Sequence, residues 1–323
     1  MKHWIRIPQI LSLLVALAPC AAQAQNAYPS NTVKIVVSTV PGPLDTFARI
    51  IAEKLSASFK QPFIIENKAG AGGNIAAEYV KNQPADGYTL LFSIDTTFTV
   101  NPGLYKSRMP FDAAKDFTAI SVPVTYGQML TVNPTVPART VPELIKLSKQ
   151  KPLSYASGGN GSPSHLVAAY FLATAGAEMT HIPYKGTGQS VIDVVGGRVD
   201  ALFAVTSGVL PFVKDGRLRA LAVSSLQRSA LAPDIPTIAE LGYPGFDVSF
   251  AYALMAPAGT PDDIVKALNR EVLKALATPD VQEKNRMADY VAMSLDAKDS
   301  AAWLATNRER WTKVIQQSGI TVE

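Results

Sequence analysis

The chain has 323 residues, more than one hydrophobic core usually serves, so about two domains are expected. Apolar residues make up 47% and charged residues 17%, which excludes disorder as a description of the whole. The formal charge is +4, from 30 basic and 26 acidic residues with no Lys/Arg cluster, which argues against a nucleic-acid groove; the one cysteine, Cys20, excludes an internal disulfide or a cysteine metal cage.

At the N-terminus, Lys2 and Arg6 precede an apolar run from Ile10 to Ala18, and Ala22-Gln23-Ala24 places small residues before Gln25. This is the pattern of a secretory signal peptide over residues 1–24, cleaved after Ala24. The apolar run is well short of the ~20 residues that span a bilayer. Pro19 before Cys20 disfavours lipidation, so Cys20 should leave with the leader. A soluble, exported, periplasmic chain is expected, and a monomer suits it.

From there β-rich runs alternate with amphipathic stretches. A strand is predicted at Val33 to Val37, then a helix on which Phe47, Ile50, Ile51 and Leu55 repeat at helical spacing, then strands at Phe63 to Ile65 and Tyr88 to Phe92. Further strands are expected at Ser154 to Ala156, Met179 to Ile182, Val199 to Ala204 and Arg219 to Val223. Strands separated by helices imply parallel sheets covered by helices. The C-terminal third reads as helical: Thr260 as N-cap, Pro261 at the first helical position, and a stripe of Ile264, Leu268, Val272 and Leu273. Trp303 and Trp311 fall in the last helix as core residues. Two extended segments, Ser121 to Asn133 and Phe246 to Pro257, are candidate crossing strands. The middle of the chain, 126–251, would then form one lobe, and 25–125 with 252–323 the other.

In four places glycine and small polar residues lead directly into a helical pattern: Pro41-Gly42-Pro43-Leu44-Asp45, Gly70-Ala71-Gly72-Gly73-Asn74, Ser157-Gly158-Gly159-Asn160-Gly161-Ser162 and Tyr184-Lys185-Gly186-Thr187-Gly188. Glycine lets backbone approach a ligand, and a helix N-terminus offers unpaired N–H groups with partial positive charge, so each loop is a candidate anion site. Asp45, Asn74, Ser162 and Thr187 are also good helix caps, so any one loop taken alone reads as structure before function. Four such loops, two in each expected lobe, fit a cleft in which amides from both sides meet a small organic anion.

Catalytic patterns are scarce. Ile75 stands where a dinucleotide fingerprint needs its third glycine, and no phosphate loop, Gly-x-Ser-x-Gly elbow or His-Glu-x-x-His occurs. Beyond the leader the histidines are His165 and His181, without metal-site spacing. Ser162 with His165 leaves an exported serine hydrolase as the alternative, with no third member to name. No cofactor or metal is expected.

At these loops the sequence resembles the periplasmic receptors of tripartite tricarboxylate transporters, the Bug family. The resemblance is carried by Tyr28-Pro29, Asn67-Lys68-Ala69-Gly70-Ala71-Gly72-Gly73-Asn74, Ala85-Asp86-Gly87-Tyr88-Thr89-Leu90, Asn101-Pro102-Gly103-Leu104-Tyr105, Tyr155-Ala156-Ser157-Gly158-Gly159-Asn160-Gly161-Ser162, His181-Ile182-Pro183-Tyr184-Lys185-Gly186, Gly216-Arg217-Leu218-Arg219-Ala220-Leu221-Ala222-Val223 and Ala256-Pro257-Ala258-Gly259-Thr260-Pro261. It implies an α/β, type II periplasmic-binding-protein fold with two lobes, crossing hinge strands and one ligand in the cleft. It further implies a small carboxylate held by loop amides and delivered to the membrane subunits of a transporter; an orphan receptor feeding a signalling sensor would look the same. Carried over by position, the ligand contacts would be Gly42 and Asp45, Ala71, Gly72, Gly73 and Asn74, Thr96 and Thr97, then Ser157, Gly159, Asn160, Ser162, His165 and Tyr184. Asp45 would cap its helix and orient the loop, because a carboxylate repels an anion.

Three departures from the family bear on the ligand. Gly42 stands alone between two prolines where a glycine pair is usual, which stiffens the loop. Ala204 replaces an acidic residue, which disfavours a ligand amine. Asp95 and Phe98 stand in a loop that is usually small, polar or His-bearing, which points to a partly apolar or aromatic acid.

Overall fold

The structure, a computed structural model, describes residues 28–318, 320 and 321; the expected leader and Cys20 lie outside them. In chain order the elements are β1 (Val33–Val37), α1 (Pro43–Phe59), β2 (Phe63–Asn67), α2 (Asn74–Lys81), β3 (Thr89–Ile94), α3 (Thr96–Thr99), α4 (Asn101–Tyr105), β4 (Phe117–Ser121), β5 (Val124–Tyr126), β6 (Met129–Val132) and α5 (Val141–Ser148). There follow β7 (Ser154–Ser157), α6 (Pro163–Ala175), β8 (Thr180–Pro183), α7 (Thr187–Val195), β9 (Ala201–Ala204), α8 (Thr206–Lys214), β10 (Arg219–Val223), β11 (Phe250–Pro257), α9 (Asp262–Leu276), α10 (Pro279–Ala288), β12 (Val291–Ala292) and α11 (Ala297–Ser318).

Two sheets result. The larger has the order β12-β5-β11-β3-β1-β2, with β4 also pairing β11, and the smaller has the order β10-β6-β9-β7-β8. Strand β1 is parallel to both β2 and β3, and its Val33, Ile35, Val36 and Val37 are fully buried, the mainly apolar strand of a sheet covered on both faces. Helix α1 packs on this sheet through Leu44, Phe47, Ala48, Ile51, Ala52 and Leu55, one face at helical spacing. The edge strand β2 carries Glu66 between Lys34 and Lys68 at 2.8 and 2.7 Å, charges that blunt an open edge.

The larger sheet draws strands from both ends of the chain and the smaller only from the middle, and the switches fall at Gly127-Gln128 and just before Phe250. There Tyr126 pairs Phe250 and Ala251 pairs Thr125, so Tyr126, Phe250 and Ala251 belong to the larger sheet, one or two residues off the expected divisions. Beside this crossing Ser224 joins the two: its N–H donates to Gln128 O at 2.8 Å and its hydroxyl to Val248 O at 2.7 Å. Trp311, 4% exposed, bridges the halves by stacking on Phe250 and meeting Tyr170 edge-on, a core role.

One end signal was misread. Helix α9 starts at Asp262 with Pro261 as N-cap, because the Thr260 hydroxyl donates to Pro257 O at 2.8 Å and closes the preceding turn instead. Among the described residues no helix is long and apolar enough to cross a membrane.

Candidate ligand-binding site

Parallel strands β1, β2 and β3 end together, Val37 opposite Asn67 and Phe92, so the loops that follow them leave the larger sheet at one end. In the smaller sheet β7, β8 and β9 likewise end together, Ser157 opposite Pro183 and Ala156 opposite Leu202. The four glycine loops are therefore those beyond the carboxyl ends of the parallel strands, where ligands of open α/β sheets bind.

Three of the four helix starts at these loops are left open, as are those of α3, α4, α8, α9 and α10. Gly42, Gly73 and Gly186 are the N-cap residues of α1, α2 and α7, and none has a side chain to accept the first free N–H groups. Only α6 is capped as expected, Ser162 accepting from the His165 N–H at 3.3 Å. Asp45, Asn74 and Thr187 lie inside their helices and cap nothing, which corrects the reading of all three. Asp45 is instead clamped by Arg49 at 2.8 and 3.0 Å and by the Asn67 amide at 2.8 Å, and Asn67 in turn holds Thr39 O at 2.9 Å. The Arg49 guanidinium holds the buried Asp45 carboxyl below the usual carboxylate range. Asp45 orients the first loop and is already neutralised, so it is not a ligand contact.

The second loop is shaped from beneath. Gly70, Ala71, Gly72 and Gly73 have φ of 135°, 46°, 63° and 95°, four successive residues in the region L-side chains avoid. The Gly72 carbonyl accepts from Thr97 Oγ1 at 3.1 Å and Asn101 Nδ2 at 3.0 Å, and Thr97 is linked through Ser93 to Ser38 at 2.7 and 2.8 Å. The Gly73 N–H returns to Gly70 O at 2.9 Å, while those of Ala71 and Gly72, both exposed, have no acceptor among the described residues. A Cβ on Gly73 would stand 2.4 Å from Thr97 Oγ1, so glycine is required there by space as well as by φ. Thr96, Thr97 and Asn74 are at most 4% exposed; Thr97 and Asn74, the latter bonded to Asn101 at 2.7 Å, build the loop rather than face a ligand.

The structure overturns the reading of Asp95 and Phe98. Phe98 is 1% exposed and packs on Phe111 and Phe117, away from the loops. Asp95 is fully buried: its N–H donates to Ala251 O and it accepts from the Ala251 N–H, both at 2.9 Å. Burial pushes its carboxyl up to about 7. Neither residue can select a ligand by contact.

In the smaller sheet Ser157 is fully buried and its hydroxyl lies 2.6 Å from His181 Nε2, while it accepts from the Gly159 N–H at 3.1 Å. His181 is stacked between Tyr155 and His165, with centroids 4.8 and 4.2 Å away. His165 Nδ1 accepts from the Gly161 N–H at 3.1 Å, which leaves the ring proton on Nε2. Burial, then the neighbouring His181, lowers His165 to about 4, so at neutral pH it is an uncharged donor. Gly159, with φ 120°, has room for no Cβ, since Tyr184 O would lie 2.9 Å from it. Tyr184 donates its hydroxyl to Asp193 at 2.7 Å. Gly42, Gly159 and Ser162 are half-buried and Asn160 is exposed.

This geometry excludes the Ser162–His165 hydrolase. Ser162 Oγ is engaged by the His165 N–H and by Ser164 at 3.1 Å, and the imidazole is held by Gly161. The Ser157–His181 pair has hydrogen-bond geometry, but its serine is inaccessible. Among the described residues no group of three His, Cys, Asp or Glu could hold a metal. A surface depression of about 320 Å³ beside Arg219 lies at the opposite end of the smaller sheet, and that guanidinium is spent on the carbonyls of Pro134, Val136 and Ala138.

Sequence reasoning missed Ser38, Ser93, Asn101, Asn67 and His181. The one signal for Ser38 was a lone serine directly after an apolar strand.

A two-sheet α/β architecture with open glycine loops at both carboxyl ends is the fold of the periplasmic binding proteins. The chain belongs to the TctC family, described as tripartite tricarboxylate transporter family receptors, whose pattern matches residues 47–320. It is 34% identical to protein BugT of Bordetella pertussis over 319 residues, 97% of this chain and 98% of BugT. R. palustris Rpa4515, solved with adipate, matches with TM-score 0.84 and 34% identity over 91% of this chain and 99% of its own. MatC from Rhodopseudomonas palustris, solved with bound malate, matches with TM-score 0.81 and 29% identity over 89% of this chain and all of its own (100%). The family is one of binding receptors rather than enzymes.

Proposed function

We propose that this protein is a periplasmic receptor, exported by cleavage after Ala24, that closes two lobes around a small carboxylate and delivers it to the membrane subunits of a tripartite transporter. The observation that carries the reading is that α1, α2 and α7, each opened by a glycine N-cap with no side chain, start beyond the carboxyl ends of parallel strands of both sheets. A Ser, Asn or Asp cap in place of glycine would add a few tenths of a kcal/mol at each start and would occupy N–H groups that glycine leaves free. A bound carboxylate supplies the missing acceptor. Adipate and malate, the ligands of two similar receptors, carry such groups at both ends.

The lobes of this reading are residues 25–126 with 250–323, and 127–249, with the hinge at Gly127-Gln128 and Val248-Ser249. Contacts come from backbone N–H groups near Gly42, at Ala71 and Gly72, and at Gly188, with Gly159, Asn160, Ser162 and the His165 Nε2–H from the second lobe. Thr97, Asn74, Ser157 and Tyr184 support those loops from behind. The receptor acts as a monomer, and a ligand touching both lobes shifts the population from open to closed.

A thermal-shift screen of the mature protein tests this with adipate, malate, citrate, glutamate and glucose. At ~100-fold above the dissociation constant, binding adds ~2.7 kcal/mol and raises the midpoint by roughly five degrees or more. A response to glucose alone, with none among the acids, overturns the reading.

A further inference from the structure

Single exposed apolar side chains are ordinary on a folded protein, but several gathered on one uncharged surface mark a place where something apolar is received. Seven such side chains are exposed among the described residues, and two stand in the glycine loops of the larger sheet: Val40, 59% exposed, just before Gly42, and Ile75, 50% exposed, just after Gly73. The loops that carry them are in contact. Asn67 Nδ2 donates to Thr39 O at 2.9 Å, Lys68 N to Val37 O at 2.9 Å, and a Cβ on Gly73 would stand 3.4 Å from Ser38 Cβ. The Ile75 side chain turns back over its own loop, its Cδ1 2.4 Å from where a Cβ on Gly70 would sit. From Ser38 to Leu44 and from Ala69 to Ala77 there is no charged side chain, and Val40, Pro41, Pro43, Ala69, Ala71 and Ile75 are all exposed.

Free N–H groups and an apolar rim on the same surface suit an anion whose charged end is followed by hydrocarbon. We propose that Val40 and Ile75 cover the methylene chain of the ligand, so that the receptor selects unbranched dicarboxylates of about six carbons or longer over four-carbon and hydroxylated acids. The inference rests on the carboxylate-receptor reading above. A short or hydroxylated acid leaves these side chains in water or sets a hydroxyl against them without a partner; each added methylene of a longer acid is removed from water against them. Full burial of a methylene corresponds to about fourfold in affinity, so partial cover predicts about two- to fourfold per methylene.

Calorimetric titration of the mature protein with succinate, glutarate, adipate, pimelate and malate tests the proposal, alongside Val40→Ser and Ile75→Ser. Affinity should climb from succinate to adipate by roughly tenfold, with malate no better than succinate. Each variant should lose several-fold for adipate, stay within about twofold for succinate, and keep the wild-type unfolding midpoint because both side chains are exposed. A flat or falling series in the wild type overturns the length selection. A rising series untouched by the substitutions overturns the assignment to Val40 and Ile75, as does equal loss for succinate and adipate. Absence of binding to every acid instead removes the carboxylate reading itself.

Discussion

Gly42→Asp separates a ligand-binding helix start from a merely structural one. Gly42 has φ 171°, extended backbone open to any residue, and a Cβ there meets only Val40 O at 3.8 Å, so the side chain fits. As N-cap of α1, the new carboxylate reaches the N–H groups of Leu44 or Asp45 that no side chain now caps. Aspartate exceeds glycine as a cap by a few tenths of a kcal/mol, and the helix dipole adds ~0.3–1 kcal/mol, so stability should stay level or rise by up to ~1 kcal/mol. A ligand carboxylate using the same N–H groups would stand about 4 Å from the new charge. Repulsion at that distance is ~1 kcal/mol in water and ~4 kcal/mol near a protein surface, which is a five- to thousandfold loss of affinity. Titration with adipate, paired with thermal unfolding, reads both effects, and Gly42→Asn removes the charge at nearly constant shape and should lose less. Wild-type affinity in Gly42→Asp, with its folding intact, would refute the placement of a carboxylate at α1.

Further outcomes follow from the same packing. Gly73→Ala should lower the unfolding free energy by ~1–3 kcal/mol and abolish acid binding, since its φ is 95° and Thr97 Oγ1 stands in the way; denaturant unfolding and titration check it, and a variant like wild type in both would contradict the loop geometry. The Asp95 carboxyl is raised to about 7 from an ordinary ~3.9, so the folded state holds its proton longer and wild-type stability falls as pH rises from ~4 to ~7. Asp95→Asn should therefore gain on wild type between pH 5 and pH 8 in denaturant midpoints, and parallel curves would count against the buried charge. His165 is lowered to about 4 from ~6.5, so its contribution is present above ~6.5 and is lost as pH falls toward 4. His165→Gln, which keeps a donor near the Nε2 position, should flatten that acid limb of the stability profile; an unchanged limb would assign it to His181 or the carboxylates.

Much of the architecture was legible in short stretches of chain. Val33 to Val37 reads as a buried parallel strand because four of its five residues are β-branched and apolar, and the Phe47, Ile51 and Leu55 spacing shows the face α1 buries. Ser162-Pro163 announced α6 with its cap and first residue, because cap, proline and helix are neighbours in sequence. The same reasoning failed at Asp45, Asn74 and Thr187. A cap residue is recognised by type and approximate place, and a shift of one to three positions carries its side chain into the helix and toward other partners. Phe98 and Asp95 failed for a different reason: an apolar or acidic residue after a strand can face either the cleft or the core, and the residues that decide it, Phe111, Phe117 and Ala251, are 13 or more positions away.

By itself, then, the sequence determined the α/β class, the places where glycine admits close backbone approach, and the family. These depend on periodicity, φ preference and local pattern, all properties of neighbouring residues. Only the tertiary structure decided which loop residues present N–H groups and which hold them in place. Ala71 and Gly72 stand open because Thr97 of α3, Asn101 of α4, Ser93 of β3 and Ser38 just after β1 bind the loop from beneath. A hydrogen bond between residues distant in the chain is a fact of packing, and no local spacing encodes it.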